Sequence, residues 1–191
     1  MQNIAIYCGS SSGTNSVYSD AAHEVGVYLA KNEIKLVYGA GSVGLMGIVA
    51  DAVLANRGEV IGIIPQFLMD LEVGHTNLTQ LHITNNMHDR KKIMCDIADG
   101  IIALPGGYGT LDELFEMLTW SQLGLHEMPI GILNVNGFYD PLLAMVQKMV
   151  EEGFLKKENQ DLIIVDDNIG SLIGKMKSNE RPKASKWLGR A

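Results

Sequence analysis

Six short apolar runs alternate with helical patterns along the chain, and this alternation constrains the fold more than any other feature. The runs are Asn3 to Cys8, Ile34 to Tyr38, Val60 to Ile64, Gly100 to Leu104, Ile130 to Asn134 and Leu162 to Val165. Each is followed by a polar or glycine turn, the mark of a strand that feeds a crossover. The runs are continuously apolar rather than alternating, as strands are when helices cover both faces of their sheet. Helical patterns are expected over Ser16 to Lys31, Gly44 to Asn56, Met87 to Ala98, Leu111 to Leu123, Tyr139 to Glu152 and Ile169 to Lys177. Strand, turn and helix in repetition predict an α/β fold: a doubly wound, Rossmann-like parallel sheet with right-handed crossovers.

The stretch Gln66 to Asn86 fits this pattern least. It reads as a loop excursion over the sheet edge, with a short helix and a short strand around Leu81 to Thr84. A chain of 191 residues, 47% hydrophobic and 19% charged, can bury one sizeable core. Residues 1–178 are therefore read as a single domain. Residues 179–191 carry Arg181, Lys183, Lys186 and Arg190 with only Trp187 and Leu188 as apolar anchors, so they read as a flexible, solvated basic tail.

A formal net charge of −7 argues against affinity for nucleic-acid backbones, so any bound phosphate must be held locally. Met1 to Cys8 lacks the basic start and apolar stretch of a secretion signal, and no apolar run approaches a membrane span. Cys8 and Cys95 suggest no disulfide framework. The expectation is a cytoplasmic protein with neither nucleic-acid nor membrane partner. The five histidines, His23, His75, His82, His88 and His126, lack metal-ligand spacing, so no metal is expected. No nucleophile elbow, P-loop or cysteine with a base partner occurs, which leaves water attack assisted by a carboxylate.

Three glycine-rich turns follow strands and precede helices: Gly9 to Thr14, Gly39 to Gly44 and Pro105 to Thr110. In an open parallel sheet, ligands bind beyond the carboxyl ends of the strands, where backbone N–H groups and helix dipoles favour phosphate. Glycines at such turns also serve close packing alone, but three together favour a nucleotide or sugar-phosphate site. Gly39 to Gly44 formally matches G-x-G-x-x-G, yet it does not follow the first strand, and Glu59 precedes the next strand rather than ending it. An NAD-dependent oxidoreductase is thus a minor alternative.

Thr110-Leu111-Asp112-Glu113 reads as a capping box, in which Glu113 would serve only its own backbone. A carboxylate one turn from a phosphate cradle also suits catalysis, and both readings stand at this point. Arg90, Lys91 and Lys92 near a helix start oppose the macrodipole. Lys92 reads as solvated; for Arg90 and Lys91, ligand contact and a solvated face are equally supported.

Pro105-Gly106-Gly107-Tyr108-Gly109-Thr110-Leu111-Asp112-Glu113 resembles the P-G-G-x-G-T-x-x-E motif of the LONELY GUY family, the cytokinin riboside 5′-monophosphate phosphoribohydrolases. Met87-His88-Asp89-Arg90-Lys91 resembles its M-H-x-R-K motif, and the likeness runs through Tyr7 to Ser11, Val37 to Ser42, Ile61 to Pro65 and Leu118 to Trp120. The label "lysine decarboxylase" once attached to such chains finds no support here, since no lysine has a pyridoxal phosphate context. The resemblance implies hydrolysis of an adenosine 5′-monophosphate, with or without an N6 substituent, to free base and ribose 5-phosphate. It implies catalytic roles for Arg90 and Glu113, and substrate contacts from Glu72, Arg90, Lys91, Gly107, Tyr108, Gly109, Thr110, Leu111, Asp112, Glu113 and Thr119. It implies a homodimer and no cofactor.

Breaking a ribosyl C–N bond builds positive charge on the sugar and negative charge on the base. Glu113 is expected at the sugar, orienting or deprotonating water. Arg90, too basic to give up a proton, is expected to point its donors at the phosphate or the purine. The N–H groups of Gly107, Gly109 and Thr110 would hold the 5′-phosphate. The rival from another class is a non-catalytic nucleotide carrier or sensor on the same scaffold.

Overall fold

The computed structural model describes residues 1–71 and 74–178. Seven strands are present among the described residues: β1 (Asn3–Tyr7), β2 (Lys35–Tyr38), β3 (Val60–Pro65), β4 (Gln80–Thr84), β5 (Gly100–Ala103), β6 (Ile130–Leu133) and β7 (Ile163–Asp166). They form one sheet in the order β4-β3-β2-β1-β5-β6-β7, and every neighbouring pair is parallel. The chain winds outward from β1 to β4, returns to the centre at β5, and winds outward again to β7. The β1/β5 boundary is therefore the topological switch point, where a crevice opens beyond the strand ends.

The helices are α1 (Ser16–Lys31), α2 (Gly44–Ala55), α3 (Gln66–Met69), α4 (Met87–Ile97), α5 (Tyr108–Gln122), α6 (Asp140–Glu151), α7 (Lys157–Gln160) and α8 (Ile169–Ser178). Successive residues of β1 feed opposite layers, as the two-residue period of a strand requires. Ile4 and Ile6 pack with Leu29 of α1, Val49 of α2 and Leu172 of α8; Ala5 and Tyr7 pack with Met94 of α4 and with Leu114 and Met117 of α5. Two apolar layers thus sandwich the sheet, which is why its strands read as unbroken apolar runs. No helix among the described residues is long and apolar enough to cross a membrane.

The doubly wound sheet expected from the sequence is present, and each of the six predicted strands lies within one residue of its expected ends. Two local expectations are corrected. Gln66 to Asn86 contains the expected short helix, α3, and short strand, β4, but it is not an excursion over the sheet edge, because β4 pairs with β3 through five residues from Gln80 to Thr84 and extends the sheet. Four of its five residues are exposed, so this edge strand carries little of the apolar signal of the inner ones. The second correction concerns α5, which begins at Tyr108, three residues before the expected Leu111. Its N-cap is Gly107, without a side-chain cap bond, so the capping box does not form. Thr110 is instead the buried third residue of the helix and lies against Gly106.

Candidate active site

The loops after β1, β2 and β5 meet at the crevice around a cleft of about 530 Å³. Its polar wall comes from α4 and α5. Asn86 caps α4, its side chain accepting from the Asp89 N–H at 2.9 Å. One turn on, Arg90 is buried and lines the cleft. Arg90 Nη2 donates to Glu113 Oε1 at 3.1 Å, with both side chains about 9% exposed. Arg90 Nη1 reaches the Met87 sulfur at 3.7 Å, and Nε has no hydrogen-bond partner among the described residues. The guanidinium lies across the end of β2, where a Cβ on Gly39 would fall 1.9 Å from its Nη2. Glycine at 39 is thus a condition for Arg90 to occupy this place.

Glu113 sits in the second turn of α5. Burial pushes its carboxyl up to about 7, against the opposing pull of Arg90 and with help from the nearby charges of Asp112 and Glu116. A carboxyl near neutrality exchanges protons readily at physiological pH, as general acid–base chemistry needs. It does not serve its own helix start.

Lys91 is not among the residues that line the cleft, although its partner Asp112 is. Its ammonium lies 2.8 Å from Glu116 and 3.2 Å from Asp112 on α5. Burial alone would lower its pKa, but the bonds to these two carboxylates outweigh burial and raise it. Lys92 pairs with Asp96 on the solvated face of α4. The cations that oppose the α4 macrodipole are therefore compensated by carboxylates of the chain itself. Three ion pairs, Arg90 with Glu113, Lys91 with Asp112 and Lys91 with Glu116, join α4 to α5. Breaking a buried pair by removing one partner costs about 3–5 kcal/mol, because the other charge is left uncompensated.

The remaining polar wall is the first turn of α5. The Leu111 N–H is the first to reach back along the helix, to the Gly107 carbonyl at 3.2 Å. The N–H groups of Tyr108, Gly109 and Thr110 precede that bond and so lack intrahelical acceptors. A Cβ placed on Gly107 or Gly109 meets nothing within 4 Å, so this rim lies open. The opposite wall is apolar, from Val43, Met46, Ile64, Leu68 and Met87. Cys8 also lines the cleft, but burial, reinforced by Glu113, pushes its thiol far up and leaves it a poor nucleophile. Tyr7 is buried beneath, its hydroxyl without a hydrogen-bond partner among the described residues. Burial and the charge of Glu113 hold that phenol protonated. Among the described residues, no cluster of three His, Cys, Asp or Glu is placed to hold a metal ion.

Of the residues singled out from the sequence, Arg90, Gly107, Tyr108, Gly109, Thr110, Asp112 and Glu113 come together around the cleft. Leu111 packs into the core layer under α5. Thr119 is exposed further along α5, its hydroxyl donating to the Phe115 carbonyl at 2.7 Å. Glu72 lies outside the described residues, as does the tail from 179. The sequence reading missed Glu116 and the apolar wall. Glu116 stands one turn beyond Asp112, a spacing that lets one lysine reach both, whereas Val43, Met46, Ile64 and Leu68 carry no motif.

Residues 46–176 match a family model described as "Possible lysine decarboxylase". A cytokinin riboside 5′-monophosphate phosphoribohydrolase of Oryza sativa subsp. japonica is 46% identical over 175 residues, covering 92% of this chain and 72% of the rice protein. One from Arabidopsis thaliana is 44% identical over 175 residues, covering 92% of this chain and 82% of its own. Among solved structures, the molybdenum cofactor binding protein from Rippkaea orientalis superposes with a TM-score of 0.70 at 20% identity, over 92% of this chain and 95% of that one. That likeness shows the fold alone. With a family match over most of its length and relatives at this level of identity, the chain belongs to the LONELY GUY family of cytokinin riboside 5′-monophosphate phosphoribohydrolases.

Proposed function

We propose that this chain hydrolyses the N-glycosidic bond of adenosine 5′-monophosphate, unsubstituted or substituted at N6, releasing the free base and ribose 5-phosphate. Its relatives are named for that reaction on cytokinin riboside 5′-monophosphates. The observation that carries the proposal is the pairing of Glu113 with Arg90 inside a cleft whose rim is the open start of α5. The 5′-phosphate sits on the N–H groups of Gly109 and Thr110 beside Gly107, where the helix dipole favours an anion. The ribose then reaches Glu113, and the flat purine lies against the apolar wall of Met46, Ile64 and Met87.

In its ionised form Glu113 stabilises positive charge at the anomeric carbon and takes a proton from the attacking water. The C–N bonding electrons leave with the base, which takes up a proton from solvent as Glu113 gives up to solvent the proton it took from water. Arg90, permanently charged, offers its remaining donors to the phosphate or to the departing purine. Lys91 acts through Asp112 and Glu116 by fixing α4 against α5. A carrier role alone would leave a buried, near-neutral carboxyl beside the phosphate rim without a use.

A homodimer is part of the proposal. Thr119, Leu123 and Leu125 are exposed at the far end of α5, a surface that a second copy would cover. Light scattering checks this: a mass of one chain excludes it. The buried, unpaired state of Cys8 and Cys95 suits the reducing compartment expected from the sequence.

The reaction is tested by incubating wild-type and Glu113→Ala protein with AMP and its N6-isopentenyl analogue and separating the products. The wild type releases base and ribose 5-phosphate in equal amounts, and the variant is slower in kcat by about 10²- to 10⁴-fold. Retained activity in the variant refutes the role of Glu113. Wild-type protein that binds AMP without releasing adenine refutes the hydrolase.

A further inference from the structure

Beyond the ridge formed by Gly9, Ser10 and Gly107 lies a second chamber of about 260 Å³, which shares those three residues with the catalytic cleft. Its walls are the Ser10 to Gly13 loop, Leu45, Tyr18 and Phe138. The Tyr18 and Phe138 rings stand edge to face, with centroids 5.8 Å apart. Alone, the chamber is smaller than the ~300–1,000 Å³ typical of a pocket that holds a whole ligand. Its size suits one end of a molecule whose remainder occupies the cleft. Among the described residues no acidic side chain lines it, and Ser10, Ser11 and Ser12 supply hydroxyl donors next to the ridge.

Doubly wound sheets bind two-part nucleotides across the crevice at the switch point, with the phosphates in the middle. Here the ridge is that midpoint, since Gly9 follows β1 and Gly107 precedes α5. We infer that the second chamber receives a ring joined through a pyrophosphate to the adenosine 5′-phosphate in the cleft, so that the protein binds ligands of the nucleoside diphosphate-sugar class. The inference rests on the proposed seat of the 5′-phosphate at the α5 rim. It adds a ligand class and requires no second reaction.

The probes are AMP, which is turned over and read as KM, and ADP and ADP-ribose, titrated calorimetrically, each with wild-type, Phe138→Ala and Ser12→Trp proteins that share the wild-type melting temperature. ADP-ribose is expected to bind the wild type more tightly than ADP does. Phe138→Ala should weaken ADP-ribose by about three- to tenfold, the scale of one lost aromatic contact, and leave AMP and ADP unchanged. Ser12→Trp, which fills the chamber, should abolish the advantage of ADP-ribose over ADP. The inference is overturned if ADP-ribose binds no better than ADP, or if both variants weaken AMP as much as ADP-ribose. The two readings fail separately: AMP hydrolysis with no ring effect removes only the second chamber, while a ring effect without base release removes only the hydrolase.

Discussion

The turns after β2 and β5 are both rich in glycine, yet they use it for opposite ends. In Gly39 to Gly44 the missing side chains make room for the protein. A Cβ on Gly39 would displace Arg90, and one on Gly44 would fall 2.3 Å from the Ser10 backbone. Gly44 also has a φ of +62°, which side-chain-bearing residues rarely adopt. In the turn after β5, Gly106 is packed in the same way, but Gly107 and Gly109 face open space. The formal dinucleotide-type match is thus held by packing even where Gly39 and Gly41 line the cleft, and the P-G-G-x-G run is the one whose Gly107 and Gly109 leave a helix start open. A glycine motif alone does not distinguish these uses; the space around each Cβ position does.

Replacing glycines on either side breaks or sharpens this contrast. The largest effect is expected for Gly44→Ala, which combines left-handed backbone with a backbone clash and should cost about 3 kcal/mol or more, read as a loss of melting temperature. A melting temperature within a degree of wild type would remove the packing account of that turn.

Next in size is the pH response of the site behind the open turn. The folded pKa of Glu113 lies above its ordinary value near 4.5, at about 7. The native state therefore binds more protons than the unfolded chain between those values, and stability falls as pH rises through that window. Chemical denaturation from pH 4 to 8 should show a decline of up to about 3 kcal/mol attributable to this group, absent in Glu113→Gln. The same variant should lose a limb near pH 7 from the kcat profile. Parallel stability curves for the two proteins would sink the assignment.

Smaller again is Gly107→Val. It should leave the melting temperature unchanged but raise KM for AMP by about tenfold, or ~1.4 kcal/mol, because the β-branched side chain crowds the phosphate rim. An unchanged KM would place the phosphate elsewhere. The smallest expected effect is Lys92→Ala, within about 0.5 kcal/mol in stability and without change in kcat, since its partner Asp96 is as exposed as itself. A marked loss of activity would mean that the α4 cations act together.

Much of this was legible in the residues. β1, β2, β3, β5 and β6 are buried along nearly their whole length, so hydrophobicity alone marks them. β4 was half hidden because an edge strand shows only part of its surface to the core. The start of α5 was misplaced because Tyr108 and Gly109 look like loop residues, and no local signal reveals that their backbone is already helical. Arg90 and Glu113 stood out through their motifs. That Arg90 meets Glu113, and Lys91 meets Glu116, depends on the packing of α4 against α5, which links residues more than twenty positions apart and leaves no periodic trace.

The idle Arg90 Nε has a consequence for the life of the protein. A donor buried without an acceptor burdens the ligand-free form, and an anion that supplies the acceptor relieves that burden on arrival. Bound nucleotide then stabilises the fold by RT ln(1 + L/Kd) at a free concentration L, a gain that grows with the logarithm of that concentration above Kd. Cells short of substrate would hold less of this protein through turnover of its unfolded fraction, and its abundance would follow its own supply.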